Sequence, residues 1–229
     1  MNPIVSLDYY DEEYINKFKG MIAWFIYSDT DTAFAKYIRE SWNALDRFSG
    51  QSCLMTLIEE PYNQSNVKFL SELKLSEENS KRVHEFLLEE KPETLQVIIN
   101  DWLFNFKPYS KNVLIKTTEQ LGIPSTEMPC LVFYTNTNSK DYLVYSFSND
   151  WSSERISEHM KEIFASVKKY TTTEWFTYLH EEIKTKKILI NLESDFRKIK
   201  GSKFVKRVTN NTSIGSFIKG IAYQNDHCI

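Results

Sequence analysis

The stretch Leu121–Tyr134, Leu-Gly-Ile-Pro-Ser-Thr-Glu-Met-Pro-Cys-Leu-Val-Phe-Tyr, joins a helix end, a proline and an apolar strand. Gly122 follows the last apolar residue of a helical pattern, where glycine commonly ends a helix. Pro129 stands directly before the apolar run Cys130–Tyr134. Because proline has no N–H to donate to a sheet, it belongs at the first residue of a strand, at an edge or at a bulge. The sequence therefore predicts that a helix ends near Leu121 and that Pro129 begins a strand.

A strand–helix–strand unit is predicted upstream of this stretch. The apolar run Met21–Tyr27 has the length and the aromatic content of a strand buried on both faces. Residues 28–31, Ser-Asp-Thr-Asp, supply N-cap candidates for a helix with apolar residues at 3.6-residue spacing from Phe34 to Phe48. A second strand is predicted at 53–58. Such a unit predicts parallel strand pairing.

Helices and a hairpin surround the opening stretch. A helical region is predicted at about 76–121, with Pro92 in a first turn and Pro108 as a break. The apolar runs 131–134 and 142–147 flank a turn-rich loop at 135–139, which is typical of a β-hairpin. Ser152 or Ser153 is expected to cap a further helix.

The resulting order, β-α-β, helices, β-β-α, with Pro129 before the hairpin, resembles the thioredoxin-like superfamily over roughly Met21–Lys169. The resemblance implies an α/β fold, a three-layer β-α-β/β-β-α core, with a cis-proline at Pro129 and a helical insertion at about 76–121. Residues 1–20 would form an N-terminal arm or helix. Residues 170–229 would form a mostly helical, basic extension docked on the core.

The chain departs from this superfamily at the residues that perform its redox chemistry. Reactive cysteines there sit at the start of the first helix, where the helix dipole and free N–H groups lower the thiol pKa. Here the positions are Ser28, Asp29, Thr30 and Asp31. The resemblance implies a groove lined by Ser28, Asp29, Thr30, Met128 and Pro129. Capping by the two aspartates is favoured over anion binding, because Asp is a preferred N-cap and repels anions.

The C-terminal segment is basic. From Lys184 to Ile229 there are 10 basic and 3 acidic residues, a net of +7, against 18 basic and 28 acidic residues elsewhere, a net of −10. Docking on the acidic body is the favoured interpretation. The alternative is a nucleic-acid interface, since basic residues interleaved with Phe196 and Phe204 can grip a backbone and stack bases. Its candidate residues are Arg197, Lys198, Lys200, Lys203, Lys206 and Arg207.

Composition narrows the classes of function. Six glycines and no GxGxxG or GxxxxGK[ST] string disfavour nucleotide binding through such loops. Three widely spaced cysteines disfavour a disulfide framework, and Cys53 and Cys130 are expected to be buried small side chains. The four histidines show no metal-ligand spacing, and no cofactor is expected. With no signal peptide and no membrane span in the sequence, a cytoplasmic location is expected.

These observations predict a non-catalytic, protein-interaction or accessory module whose partner is another protein. The chain is rich in Asn, Lys, Ile and Tyr, and in this it is similar to proteins encoded by AT-rich bacterial genomes. Small cysteine-free thioredoxin-like proteins of such genomes resemble accessory parts of defence or stress systems. The alternatives left open are the nucleic-acid interface and an enzyme whose acid–base residues meet only in three dimensions. The partner and the oligomeric state stay open.

Overall fold

The computed structural model describes residues 5–6, 18, 20–50, 52–57, 111–171 and 182–223, all within one compact unit. The strands are β1 (Val5–Ser6), β2 (Met21–Ile26), β3 (Cys53–Leu57), β4 (Cys130–Tyr134), β5 (Asp141–Ser146) and β6 (Phe204–Thr209). The helices are α1 (Thr32–Ser49), α2 (Lys111–Gln120), α3 (Ser153–Thr171), α4 (Glu182–Lys198) and α5 (Ile214–Tyr223). A 3₁₀ turn spans Ser125–Glu127.

The strands form a six-stranded mixed sheet in the order β1-β3-β2-β4-β5-β6. β3 pairs in parallel with β1 and with β2, whereas β4 is antiparallel to β2, β5 to β4, and β6 to β5. The parallel β2–α1–β3 unit and the β4–β5 hairpin were both predicted from the sequence, and both are confirmed.

Strand β2 is central, and all six of its residues are buried. Its register with β3 runs from Met21 opposite Cys53 to Phe25 opposite Leu57. A strand with helices on both faces exposes neither of its alternating side-chain sets, which is why its sequence is a continuous apolar run.

The two faces of the sheet bury separate cores. One core joins alternate residues of β2, β4 and β5, among them Trp24, Val132 and Val144, to side chains of α2 and α5. The opposite face packs against α1, α3 and α4, where Phe34 contacts Phe147 and Phe196 contacts Phe133. Helices therefore cover both faces of a mixed sheet, and the predicted α/β class is confirmed.

Helix α2 ends as the opening sequence stretch predicts. Gly122 adopts a φ of +64°, which residues with a side chain rarely adopt. Its N–H donates to the carbonyl of Glu119 at 2.9 Å, and the N–H of Ile123 donates to the carbonyl of Thr118 at 2.8 Å. These bonds satisfy the last helical carbonyls and turn the chain toward Pro129.

The segment after Tyr170 contains a strand that the sequence analysis did not predict. β6 pairs with β5 along its whole length, from Asp141 opposite Thr209 to Ser146 opposite Phe204. It is flanked by helices α4 and α5, so the described part of this extension supplies one strand of the main sheet. At the N-terminus, Val5–Ser6 pairs with β3 as a two-residue strand. Most of the predicted insertion at about 76–121 lies outside the described residues, which include only its last helix, α2.

Among the described residues, no helix is both long enough and apolar enough to cross a bilayer.

Phe196 tests whether α4 is part of the main core. It is fully buried, with its ring 5.3 Å from Phe133 and 5.6 Å from Tyr145. Phe196→Ala should lower the free energy of unfolding by about 3–5 kcal/mol, the usual cost of removing a buried phenylalanine. The measurement is urea unfolding followed by circular dichroism.

Ile190 provides the matched control, because it lies on the same helix and is 45% exposed. Ile190→Ala should change the free energy of unfolding by less than about 0.5 kcal/mol. Equal effects of the two substitutions would contradict the placement of α4 on the sheet.

Candidate functional site

The register between β2 and β4 brings the two halves of the predicted groove to the same end of the sheet. Ile26, the last residue of β2, lies opposite Cys130, the first residue of β4. The segment 28–31 therefore leaves one strand beside the point where residues 128–129 enter the next. Pro129 is held further by its carbonyl, which accepts the N–H of Phe147 at 2.9 Å.

Asp31 organises the turn between β2 and α1. Its Oδ2 accepts the backbone N–H of Ser28 at 2.7 Å and the Ser28 hydroxyl at 2.9 Å. Its carbonyl accepts the N–H of Ala35 at 2.9 Å, the first backbone bond of the helix, so Asp31 occupies the N-cap position. Ser28 and Asp31 are both buried, and the carboxylate uses its hydrogen bonds inside the protein.

Asp29 and Thr30 are the exposed part of this turn. Asp29 Oδ1 accepts the backbone N–H of Lys111, the first residue of α2, at 3.2 Å. Thr30 Oγ1 lies 2.9 Å from the hydroxyl of Ser28. Of the first three predicted groove residues, only these two are therefore accessible at the surface.

Met128 and Pro129 are buried, and the peptide bond between them is cis. The exposed side of their loop is instead made by the preceding turn, where Pro124 and Thr126 are exposed and Glu127 is partly buried. Lys203 contacts this turn from the segment before β6. Its Nζ donates to the carbonyl of Thr126 at 2.8 Å and lies 3.9 Å from Glu127 Oε2.

Cys130 lies beneath the same loop and is fully buried. Burial, together with the nearby negative charges of Asp31 and Glu127, raises the pKa of its thiol far above the ordinary value. Burial likewise raises the pKa of Cys53. Within the described residues, neither cysteine forms a disulfide. A thiol in such surroundings stays protonated near neutral pH and is a poor nucleophile.

The chemistry open to this site is therefore limited. A thiolate at the start of α1 is excluded, since residues 28–31 contain no cysteine. Anion binding at the helix start is disfavoured, because a buried and an exposed aspartate place negative charge there. Within the residues that the structure describes, no group of three or more His, Cys, Asp or Glu side chains could hold a metal ion.

The basic residues considered for nucleic-acid binding are distributed over the end of α4, the following turn and β6. Four of the six form ion pairs: Arg197 with Glu193 at 2.8 Å, Lys198 with Asp195 at 3.2 Å, Lys203 with Glu127 at 3.9 Å and Arg207 with Glu193 at 3.7 Å. Lys200 and Lys206 are exposed. Much of the positive charge on this surface is thus balanced within the protein.

A second polar cluster was missed by the sequence analysis. The hydroxyl of Tyr145 on β5 hydrogen-bonds to Nδ1 of His159 on α3, and both side chains are buried. His159 lies within the apolar stripe Ile156, Met160, Ile163 of its helix. A histidine inside such a stripe is the sequence signal that could have indicated a buried polar contact. Its partner comes from a strand 14 residues away, which helical spacing does not reveal.

Asp31 gives a stability test of the turn. Asp31→Ala leaves the N–H and the hydroxyl of Ser28 without their shared acceptor in a buried place. We expect the free energy of unfolding to fall by about 1–3 kcal/mol. Chemical unfolding of the variant and the parent protein measures this difference.

The control is Asp29→Ala, which removes an exposed carboxylate with one backbone partner. Its effect should be less than half as large. If the two alanine variants were equally stable, Asp31 would not be the organising residue of this turn.

The cysteines give a chemical test. At pH 8 in native protein, an alkylating reagent should modify Cys53 and Cys130 at least a hundredfold more slowly than in urea-unfolded protein, because both thiols are buried and protonated. Peptide mass spectrometry after timed alkylation reports each position separately. Rapid native labelling of Cys130 would contradict the inert thiol described above.

Comparison of this chain with protein-family models, with curated proteins and with solved structures gives no match.

Proposed function

We propose that this chain is a non-catalytic, thioredoxin-like module that binds another protein at the end of the sheet where β2 ends and β4 begins. One observation at that end of the sheet carries the proposal. The start of α1 holds Asp31 at the place where a redox enzyme of this type holds a thiol. The parallel β2–α1–β3 unit followed by the antiparallel β4–β5 hairpin and α3 supports the thioredoxin-like assignment.

The contact surface is defined by the residues that remain accessible. They are Asp29 and Thr30 of the first turn and Pro124–Glu127 of the loop before Pro129; Ser28, Met128 and Pro129 support them from below. This set will be called the β2/β4 surface. Its exposed carboxylate is that of Asp29, whereas the side chain of Glu127 is only 16% exposed and lies beside Lys203. A partner segment with hydrogen-bond donors or positive charge suits it better than an anionic one.

The burial of the Cys130 thiol argues against redox chemistry at this surface and leaves binding as the proposed role. Cys130, the one cysteine near this surface within the described residues, has no access to solvent and a raised thiol pKa. Nucleic-acid binding through the basic residues is less favoured, because four of the six are engaged in ion pairs.

A site-specific cross-link tests the proposal. A photo-reactive amino acid at position 30, on the β2/β4 surface, should cross-link one defined protein in cells of the native source. Adding Asp29→Lys to the same protein should reduce the yield at least fivefold, since it reverses the charge of the surface. Mass spectrometry of the cross-linked peptide identifies the partner and its contacting segment.

Two controls use other exposed positions. The photo-reactive residue at position 186, on α4, should give no cross-link to that protein, and Glu119→Lys on α2 should leave the position-30 yield unchanged. Equal cross-linking from positions 30 and 186, or none from either, would count against the β2/β4 surface.

A further inference from the structure

The Tyr145–His159 pair is enclosed by aromatic side chains. The ring of Trp151 lies 4.2 Å from the imidazole of His159, and the guanidinium of Arg155 lies 4.5 Å from the Trp151 ring. Trp151 therefore contacts both a histidine and an arginine. Tyr145 contacts Phe147 and Phe196 on its other sides, at 5.2 and 5.6 Å.

Arg155 is also constrained from the turn after α4. A Cβ atom at Gly201 would lie 2.6 Å from Nη2 of Arg155, so the absence of a side chain there makes room for the guanidinium. Gly201 has a φ of +82°, which a glycine adopts without strain. The arginine thus stays near the cluster, where its positive charge acts on His159.

The charged surroundings favour a neutral imidazole. Burial and the charge of Arg155 lower the pKa of His159, against a smaller opposing effect of Glu158. Burial and the charge of Glu162 raise the pKa of Tyr145, against the opposing effect of Arg155, so the phenol keeps its proton. When Nδ1 of the neutral imidazole carries no proton, the phenol O–H donates a hydrogen bond to it. From α4 and the turn after it, Phe196 and Gly201 face the cluster, and neither carries a charge.

A row of rings connects this cluster with the β2/β4 surface. The ring centroids are 5.9 Å apart for Trp151 and Phe147, 5.0 Å for Phe147 and Phe34, and 5.6 Å for Phe34 and Tyr27. Tyr27 directly precedes Ser28, and Phe34 lies in the first turn of α1. The backbone of Phe147 also donates to the carbonyl of Pro129. Movement of Trp151 and Phe147 would therefore reach both halves of the surface.

We propose that His159 is a pH-sensitive contact that controls the packing behind the β2/β4 surface. A protonated imidazole has no lone pair on Nδ1, so the buried hydroxyl of Tyr145 loses its acceptor, and a second positive charge appears beside Arg155. The strain is relieved by displacing Trp151, whose preceding turn residues Asn149 and Asp150 are exposed. The inferred packing change does not depend on the proposed function, whereas its effect on partner binding rests on that function.

The direction of the pH effect follows from the lowered pKa. An ordinary histidine has a pKa of about 6.5 and binds a proton below it in the unfolded chain, whereas folded His159 binds its proton only at lower pH. Between those two values the unfolded state holds more protons, so stability is lost as the pH falls below about 6.5. Above that value the contribution of His159 is fully present.

Nuclear magnetic resonance of the full chain between pH 4 and pH 8 tests this inference. The imidazole signals of His159 should titrate below pH 6.5, and the backbone amides of Trp151, Phe147, Ser28 and Thr30 should shift with the same midpoint. Tyr145→Phe removes the hydroxyl that stabilises the neutral imidazole. It should raise that common midpoint by about one pH unit, the size that one hydrogen bond produces.

His159→Gln should abolish the shared transition and leave only the titration of nearby carboxylates at lower pH. Lys161→Gln, an exposed change on the same helix, should leave the midpoint unchanged. An imidazole that titrates without the Ser28 and Thr30 amides, or a midpoint unmoved in Tyr145→Phe, would overturn the proposal. No partner is used, so this result is independent of the cross-linking test.

Discussion

The pairing of β2 with a parallel strand on one side and an antiparallel strand on the other is the constraint on which the rest of the structure depends. Because β2 is buried on both faces, a slip of one residue would exchange its two side-chain sets between the two cores. The register is therefore fixed by packing. It sets Ile26 opposite Cys130, and through that pair it sets where the turn at 28–31 meets the loop at 124–129.

Charge and burial determine which chemistry is possible where the turn at 28–31 meets the loop at 124–129. Asp31 uses its carboxylate to hold the turn, and in doing so it places negative charge near a buried thiol whose pKa is already raised. The surroundings thus oppose thiolate formation from two directions, desolvation and repulsion. Among the described residues at this point, Asp29, Thr30 and the turn before Met128 provide the exposed polar groups.

Much of the fold could be predicted from local patterns. The continuous apolar run of β2, the glycine after α2 and the turn-rich loop of the hairpin each determine a nearby conformation, and each was read correctly. β6 was missed because its sequence Phe-Val-Lys-Arg-Val-Thr lacks strict alternation: only Val205 is buried, and several side chains are half-buried. The run 187–192 gave no decision between strand and helix, and it lies within α4.

The candidate site was harder to predict than the fold. The sequence predicted a groove at the segments 28–30 and 128–129, but Ser28, Met128 and Pro129 are buried, and the exposed loop residues Pro124 and Thr126 were not singled out. The ion pairs of Lys203 and Arg207 and the Tyr145–His159 bond join residues that are distant in sequence. Contacts of this kind depend on strand register, which a sequence pattern does not specify.

Cross-strand nuclear Overhauser effects in the labelled full chain test the central pairing most directly. The account predicts an antiparallel set between β2 and β4 centred on Trp24 and Val132, together with a parallel set between β2 and β3 that includes Ala23 and Met55. If β4 instead gave contacts to β3, or paired with β2 in a register shifted by one residue, the two segments of the β2/β4 surface would not meet as described.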